Sequence, residues 1–146
     1  MKFNGDSVLS ELCEMILQGQ EKNSRRYGMV AASIIALNGQ STRSTSTSRD
    51  GKWHHAERNA IDLFTAKYGT IPKGSICVTT LSPCNSGMND RYGSSCQDLL
   101  DQHGLNKVYC GYKDPTQDHD ASHETKNSQL RKLCKKFADT FLNDTK

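Results

Sequence analysis

The sequence predicts an α/β protein, a three-layer α/β/α sandwich around a mixed sheet of about four to five strands. Three observations predict it. Apolar residues recur at helical spacing in three long stretches. Two short runs, SICVTTL and KVYCGY, read as buried strands with a short helix between them. The dipeptide Asn38-Gly39 closes a small and β-branched run, as hairpin turns do. Strand, helix, strand implies a parallel pair with a right-handed crossover, and the hairpin makes the sheet mixed.

The first helix is expected over Asp6 to Gln18, where Val8, Leu9, Leu12, Cys13, Ile16 and Leu17 share a face. Asp6 or Ser7 is available as its N-cap and Gly19 as its stop. MVAASIIAL follows as a strand, and Asn38-Gly39 predicts a two-residue type I′ turn. The partner segment, QSTRSTSTS, fits both a strand and a low-complexity loop, because Ser and Thr suit a pleat but offer little to a core.

A second helix begins near His55 and carries Ala56, Ala60, Ile61, Leu63 and Phe64 to about Lys67. The strand SICVTTL then leads into Ser82-Pro83-Cys84, followed by a polar loop from Asn85 to Ser95. Residues 96–103 read as a short helix closed by Gly104, and KVYCGY as a strand stopped by Asp114-Pro115. The last helix, Ser128 to Asn143, has Leu130, Leu133, Cys134, Phe137, Ala138, Phe141 and Leu142 on one face. Its basic residues, Arg131, Lys132, Lys135 and Lys136, face away from that stripe as a solvated surface.

The 146 residues are expected to form a single domain, 1–146. A net charge of +3 is too small to argue for a nucleic-acid partner. A mean hydropathy of −0.72, with no run of about 18 apolar residues, removes a membrane-spanning helix. The N-terminus is too acidic for a signal peptide, so a cytoplasmic protein with reduced thiols is expected. Of the six cysteines, Cys13, Cys77, Cys110 and Cys134 fall on apolar faces and read as small core residues.

The other two belong to a chemical pattern. A catalytic zinc ion takes three nitrogen or thiolate ligands and keeps its fourth position for water. His55 starts one helix, Cys84 follows a strand and Cys96 starts another helix. Helix N-termini lower thiol pKa values and stabilise bound hydroxide. Glu57 is close enough to His55 to move protons without ligating the metal.

These residues resemble the zinc-dependent cytidine and deoxycytidylate deaminase superfamily, whose signature is H-x-E followed by P-C and a second Cys. The matching residues are His55-Ala56-Glu57, Pro83-Cys84 and Cys96, and HAERNAI, TTLSPC and VYCGYKDP are similar to the family over roughly residues 30–115. The resemblance implies a cytidine deaminase-like fold, Zn2+ on His55, Cys84 and Cys96, and Glu57 as the proton carrier. It also implies base-orienting backbone groups near Ala56 and a homo-oligomer, as a dimer. Its register assigns the metal to His55 and leaves His54 outside.

Three departures stand out. The Asn that nucleoside and nucleotide deaminases often place on the second strand, where it contacts ribose, has no obvious counterpart in QSTRSTSTSRD. The two cysteines are separated by eleven residues, and this insert carries Asn89, Asp90, Arg91 and Tyr92 as substrate-rim candidates beside Pro83; a solvated loop is the plainer reading. The family's fifth strand is not visible after Asp114. The expected substrate is a small-molecule amino-heterocycle: a nucleobase, nucleoside or nucleotide. Deamination of a base within tRNA or single-stranded nucleic acid, a toxin-type deaminase and a non-catalytic zinc module are the alternatives.

Overall fold

The computed structural model describes residues 4–22, 27–49, 52–83, 100–105, 107–113 and 122–144. Helix α1 spans Gly5–Lys22, strand β1 Tyr27–Ile35, β2 Ser41–Arg49 and β3 Lys52–His54. Helix α2 spans Ala56–Tyr68, β4 Ile76–Leu81, β5 Lys107–Tyr112, β6 Ser122–Glu124 and α3 Ser128–Asp144. The strands form one mixed sheet of six, in the order β3-β2-β1-β4-β5-β6. The pairs from β3 to β4 are antiparallel, whereas β4, β5 and β6 run parallel, as the strand-helix-strand pattern requires.

The sheet is wider than the sequence pattern suggests because β3 and β6 have three residues each, too few to show a period of two. The strand β6 occupies the stretch after Asp114 where no fifth strand was legible, and it pairs His123 with Tyr109 of β5. Of the two readings of QSTRSTSTS, the strand holds. Its hydroxyls serve it by bonding to backbone, since Thr42 Oγ1 donates to Ala60 O at 2.8 Å and Ser44 Oγ to Thr45 O at 3.2 Å.

Two further expectations are corrected. Helix α1 runs through Gly19 to Lys22 and is capped by Asn4, whose Oδ1 accepts from Ser7 N at 3.1 Å. The hairpin between β1 and β2 turns over three residues rather than two: Ala36 N donates to Gln40 O, Gly39 N donates to Ala36 O, and Gly39 has a φ of 93°. From the predicted short helix, residues 100–102 are described and helical, with Gly104 (φ 73°) closing it.

Layering follows from which face each helix buries. Helices α1 and α3 cover one side of the sheet, where Leu9, Leu12, Ile16, Val78, Tyr112 and Phe137 share a core. Helix α2 covers the other, where Ile34, Ile61, Phe64, Cys77, Leu105 and Val108 pack. Leu17 is the exception to the predicted stripe of α1, being 38% exposed. The side chains of Phe141 and Leu142 lie outside the described residues.

Asp6 ties the first layer to the sheet. Its Oδ1 accepts from Tyr109 Oη on β5 and from Thr125 Oγ1 just after β6, both at 2.6 Å. Thr125 Oγ1 also accepts from Asn127 N, and Asn127 Oδ1 caps α3 by accepting from the N–H groups of Gln129 and Leu130. On the basic face of α3, Lys132, Lys135 and Lys136 are exposed as expected, with Lys135 paired to Asp139 at 2.8 Å, whereas Arg131 is half-buried over Tyr112 and pairs with Glu124 at 2.9 Å.

Cys13, Cys77, Cys110 and Cys134 are free and buried. Burial pushes the Cys77 thiol well above its ordinary range, with the nearby Glu57 carboxylate adding to the effect. Cys110 is pushed up to about 12 by burial and by Glu124.

Two outcomes are expected. Asp6→Ala removes a charged acceptor from two hydroxyls and lowers unfolding free energy by about 1–3 kcal/mol, read by urea denaturation. Because both strand thiols stay protonated at pH 8, iodoacetamide leaves Cys77 and Cys110 unmodified in the native protein and labels them in urea, as mass spectrometry resolves.

Candidate active site

The N-terminus of α2 gathers the polar residues that the sequence singles out. His55 is its N-cap residue, in an extended conformation (φ −68°, ψ 149°), and its carbonyl accepts the first helical bond from Asn59 N at 3.0 Å. Its side chain makes no capping hydrogen bond, so the imidazole is not spent on the helix. The side chain is buried, at 7% exposure, as is Glu57 at 3%. Ala56 between them is fully buried.

A buried carboxylate is costly unless hydrogen bonds compensate it. Strand β4 supplies one: Thr79 Oγ1, fully buried, donates to Glu57 Oε1 at 2.9 Å and lies 2.8 Å from Leu81 O. Thr79 therefore holds the Glu57 carboxylate against β4, near the end where the chain continues into Pro83. That end is held by Ser82, whose N–H donates to Tyr112 O on β5 at 2.9 Å. Asn59, one turn along α2, donates from Nδ2 to Thr45 O on β2 at 3.0 Å and fixes the helix over the hairpin.

The structure thus brings His55, Ala56 and Glu57 together at one helix end, with Thr79 below. Pro83 is buried beyond β4. Cys84, Cys96, Asn89, Asp90, Arg91 and Tyr92 lie outside the described residues, as do the side chains of Trp53 and His54; the His54 backbone belongs to β3. Among the described residues no group of three His, Cys, Asp or Glu side chains could hold a metal. The described donors nonetheless suit one, because an imidazole not used for capping sits beside a carboxylate at the positive end of a helix. Thr79 was not singled out from sequence: a Thr within a strand carries no spacing signal, and only the packing of α2 on β4 shows its partner.

Residues 6–112 match the family model described as the cytidine and deoxycytidylate deaminase zinc-binding region. The chain belongs to this family. No curated protein sequence matches it. Among solved structures, a diaminohydroxyphosphoribosylaminopyrimidine deaminase/5-amino-6-(5-phosphoribosylamino)uracil reductase from Thermotoga maritima is similar with a TM-score of 0.67 and 19% identity, over 97% of this chain and 43% of that one. A dCMP deaminase from the cyanophage S-TIM5 has a TM-score of 0.50 and 20% identity, over 91% of this chain and 94% of that one. RibD of Acinetobacter baumannii reaches 0.55 at 19% identity, over 92% of this chain and 40% of that one. The chain therefore spans about two-fifths of the length of the bifunctional deaminase-reductase and of RibD, and nearly all of the phage enzyme. At these identities the likeness is one of fold, and it agrees with the cytidine deaminase-like α/β/α sandwich expected from sequence. No described helix is long and apolar enough to cross a membrane.

The Thr79 contact is open to direct test. Thr79→Val keeps the shape and removes one buried hydrogen bond to the Glu57 carboxylate, lowering stability by about 1–3 kcal/mol in urea denaturation, whereas Thr79→Ser keeps most of it.

Proposed function

We propose that this chain is a zinc-dependent hydrolytic deaminase of a nucleobase, nucleoside or nucleotide. The observation that carries the reading is the Glu57 carboxylate, buried two residues after His55 in the first turn of α2 and oriented by Thr79, inside the segment that matches the family.

In this reading His55, Cys84 and Cys96 hold the metal, which when bound lowers the pKa of a water toward neutrality. Glu57 takes the proton from the attacking water as it adds to the amidine carbon. The same carboxyl then delivers that proton to the ring nitrogen, and later assists the departure of ammonia, so that water is consumed and the amino group is replaced by a carbonyl. Thr79 holds the carboxyl in place through these transfers. Backbone N–H groups at Ala56 orient the base, and Pro83 with the rim residues Asn89, Asp90, Arg91 and Tyr92 bounds the substrate.

The family match and the names of the similar structures favour a free aminopyrimidine nucleotide over nucleic acid: one is a deaminase of a phosphoribosylated aminopyrimidine, the other of dCMP. The basic face of α3 adds little to a nucleic-acid reading, since Arg131 and Lys135 are engaged with acidic neighbours. The resemblance supports a homo-oligomer, as a dimer.

Ammonia release by zinc-loaded protein across bases, nucleosides, nucleotides and short RNAs tests the reading. Glu57→Ala is expected to lower turnover by about 10²–10⁴-fold while metal analysis still finds bound zinc. His55→Ala is expected to lose both. A fully zinc-loaded wild type that releases no ammonia from any of these compounds would falsify the proposal and favour a non-catalytic zinc module.

A further inference from the structure

Two of the buried thiols meet. Cys13 on α1 and Cys134 on α3 bring their sulfurs to 3.6 Å, although the residues stand 121 positions apart in the chain. They are 2% and 1% exposed and share a core with Leu9, Leu12, Phe137 and Ala138. Core packing explains a buried cysteine, but it does not require two sulfurs in contact between two helices. Cys77 and Cys110 offer the contrast. On β4 and β5 they are offset by two residues along the ladder, which puts their Cα atoms about 8 Å apart, beyond the roughly 7 Å that a disulfide spans.

The surroundings hold the pair together. Cys134 packs so closely on β5 that a Cβ at Gly111 would overlap its Sγ, so glycine at that position is what lets α3 lie at this depth. Cys13 belongs to a helix whose start is clamped through Asp6 to Tyr109 and Thr125. A disulfide bond is about 2.0 Å long, so the sulfurs have to close by about 1.6 Å, a distance within reach of rotation about the two Cα–Cβ bonds. The contact also sorts the two thiols chemically. With Cys134 as donor, the hydrogen bond pulls the Cys13 thiol below its ordinary range against the opposing effect of burial, while Cys134 is pushed up. Cys13 is therefore the attacking sulfur and Cys134 the resolving one.

We propose that Cys13 and Cys134 are a site of oxidative modification, at which hydrogen peroxide converts the two thiols to a disulfide that clasps α1 to α3. The Cys13 thiolate attacks one peroxide oxygen and the O–O bond breaks. Cys13 becomes a sulfenic acid, and the departing hydroxide takes up the proton that the thiol lost, giving water. The Cys134 sulfur then attacks the sulfenic sulfur, and its proton leaves with the displaced hydroxide as a second water. Each sulfur gives up one electron to the peroxide oxygens, so two thiols and one peroxide yield one disulfide and two waters. Burial of both sulfurs selects a small neutral oxidant over a bulky disulfide. The loop that the bond closes contains the whole sheet and α2, and closing so long a loop removes much of the unfolded chain's freedom. Neither thiol takes part in the deaminase reading, and the clasp holds or fails independently of it.

The test treats native, zinc-loaded protein with hydrogen peroxide until free glutathione in the same buffer is fully oxidised. The protein is then alkylated in urea and digested without reductant. Mass spectrometry is expected to find Cys13 joined to Cys134, and Cys77 and Cys110 alkylated as free thiols. In parallel melting curves, peroxide is expected to raise the melting temperature of wild type by about 5–15 °C relative to its effect on Cys13→Ala and Cys134→Ala, a difference that dithiothreitol abolishes. The peptide map needs only wild type, so it decides the matter even where an alanine variant does not fold. Recovery of Cys13 and Cys134 mainly as alkylated thiols, as sulfinic acids, or joined to Cys84 or Cys96 overturns the proposal. A mapped Cys13–Cys134 bond that leaves the melting temperature unchanged or lowers it overturns the clasp.

Discussion

Helix α2 is fastened to the sheet by polar bonds at the end where its chemistry lies, and the site depends on that fastening. Thr42 on Ala60, Asn59 on Thr45 and Thr79 on Glu57 run in sequence along the helix toward its N-terminus. An apolar contact tolerates sliding by a fraction of an ångström, whereas a buried hydrogen bond loses most of its value when its geometry is lost. Three such bonds therefore set the height and rotation of α2 over β1, β2 and β4. Phe64, Ile61 and Ala60 supply the apolar anchor farther along the helix, where accuracy matters less.

The opposite layer is built in the complementary way. Helices α1 and α3 bury broad apolar faces, and a polar clamp, Asp6 with Tyr109 and Thr125, joins the start of α1 to the parallel end of the sheet. The consequence is a division of labour. The α1/α3 side is packed mainly by apolar contacts, whereas the α2 side holds a carboxylate and an imidazole in its interior.

Much of the fold was legible because its pattern is local. Helices α2 and α3, strands β4 and β5, and the parallel relation of the two strands follow from periodicity and from the order strand, helix, strand. Strand β2 was ambiguous because Ser and Thr carry no apolar alternation; what makes it a strand is pairing on both edges, a tertiary fact. Strands β3 and β6 were missed because three residues show no period. Gly19 was misjudged as a stop because a glycine inside a helix costs only about 1 kcal/mol, less than the packing of α1 returns. The turn at Asn38-Gly39 was placed correctly but its length was not, since the dipeptide is compatible with two loop sizes.

The site divides along the same line. By itself the sequence determined the family, the H-x-E pair at the start of a helix and the four cysteines that fill the core, because each of these is written in residue identity and spacing along one segment. Only the tertiary structure decided that Thr79 holds Glu57 and that Asn59 holds the hairpin. Those relations join residues on different strands and on a helix packed across them. Side-chain hydroxyls in a strand look alike in sequence, and they acquire distinct roles only when register and packing choose which one meets a partner.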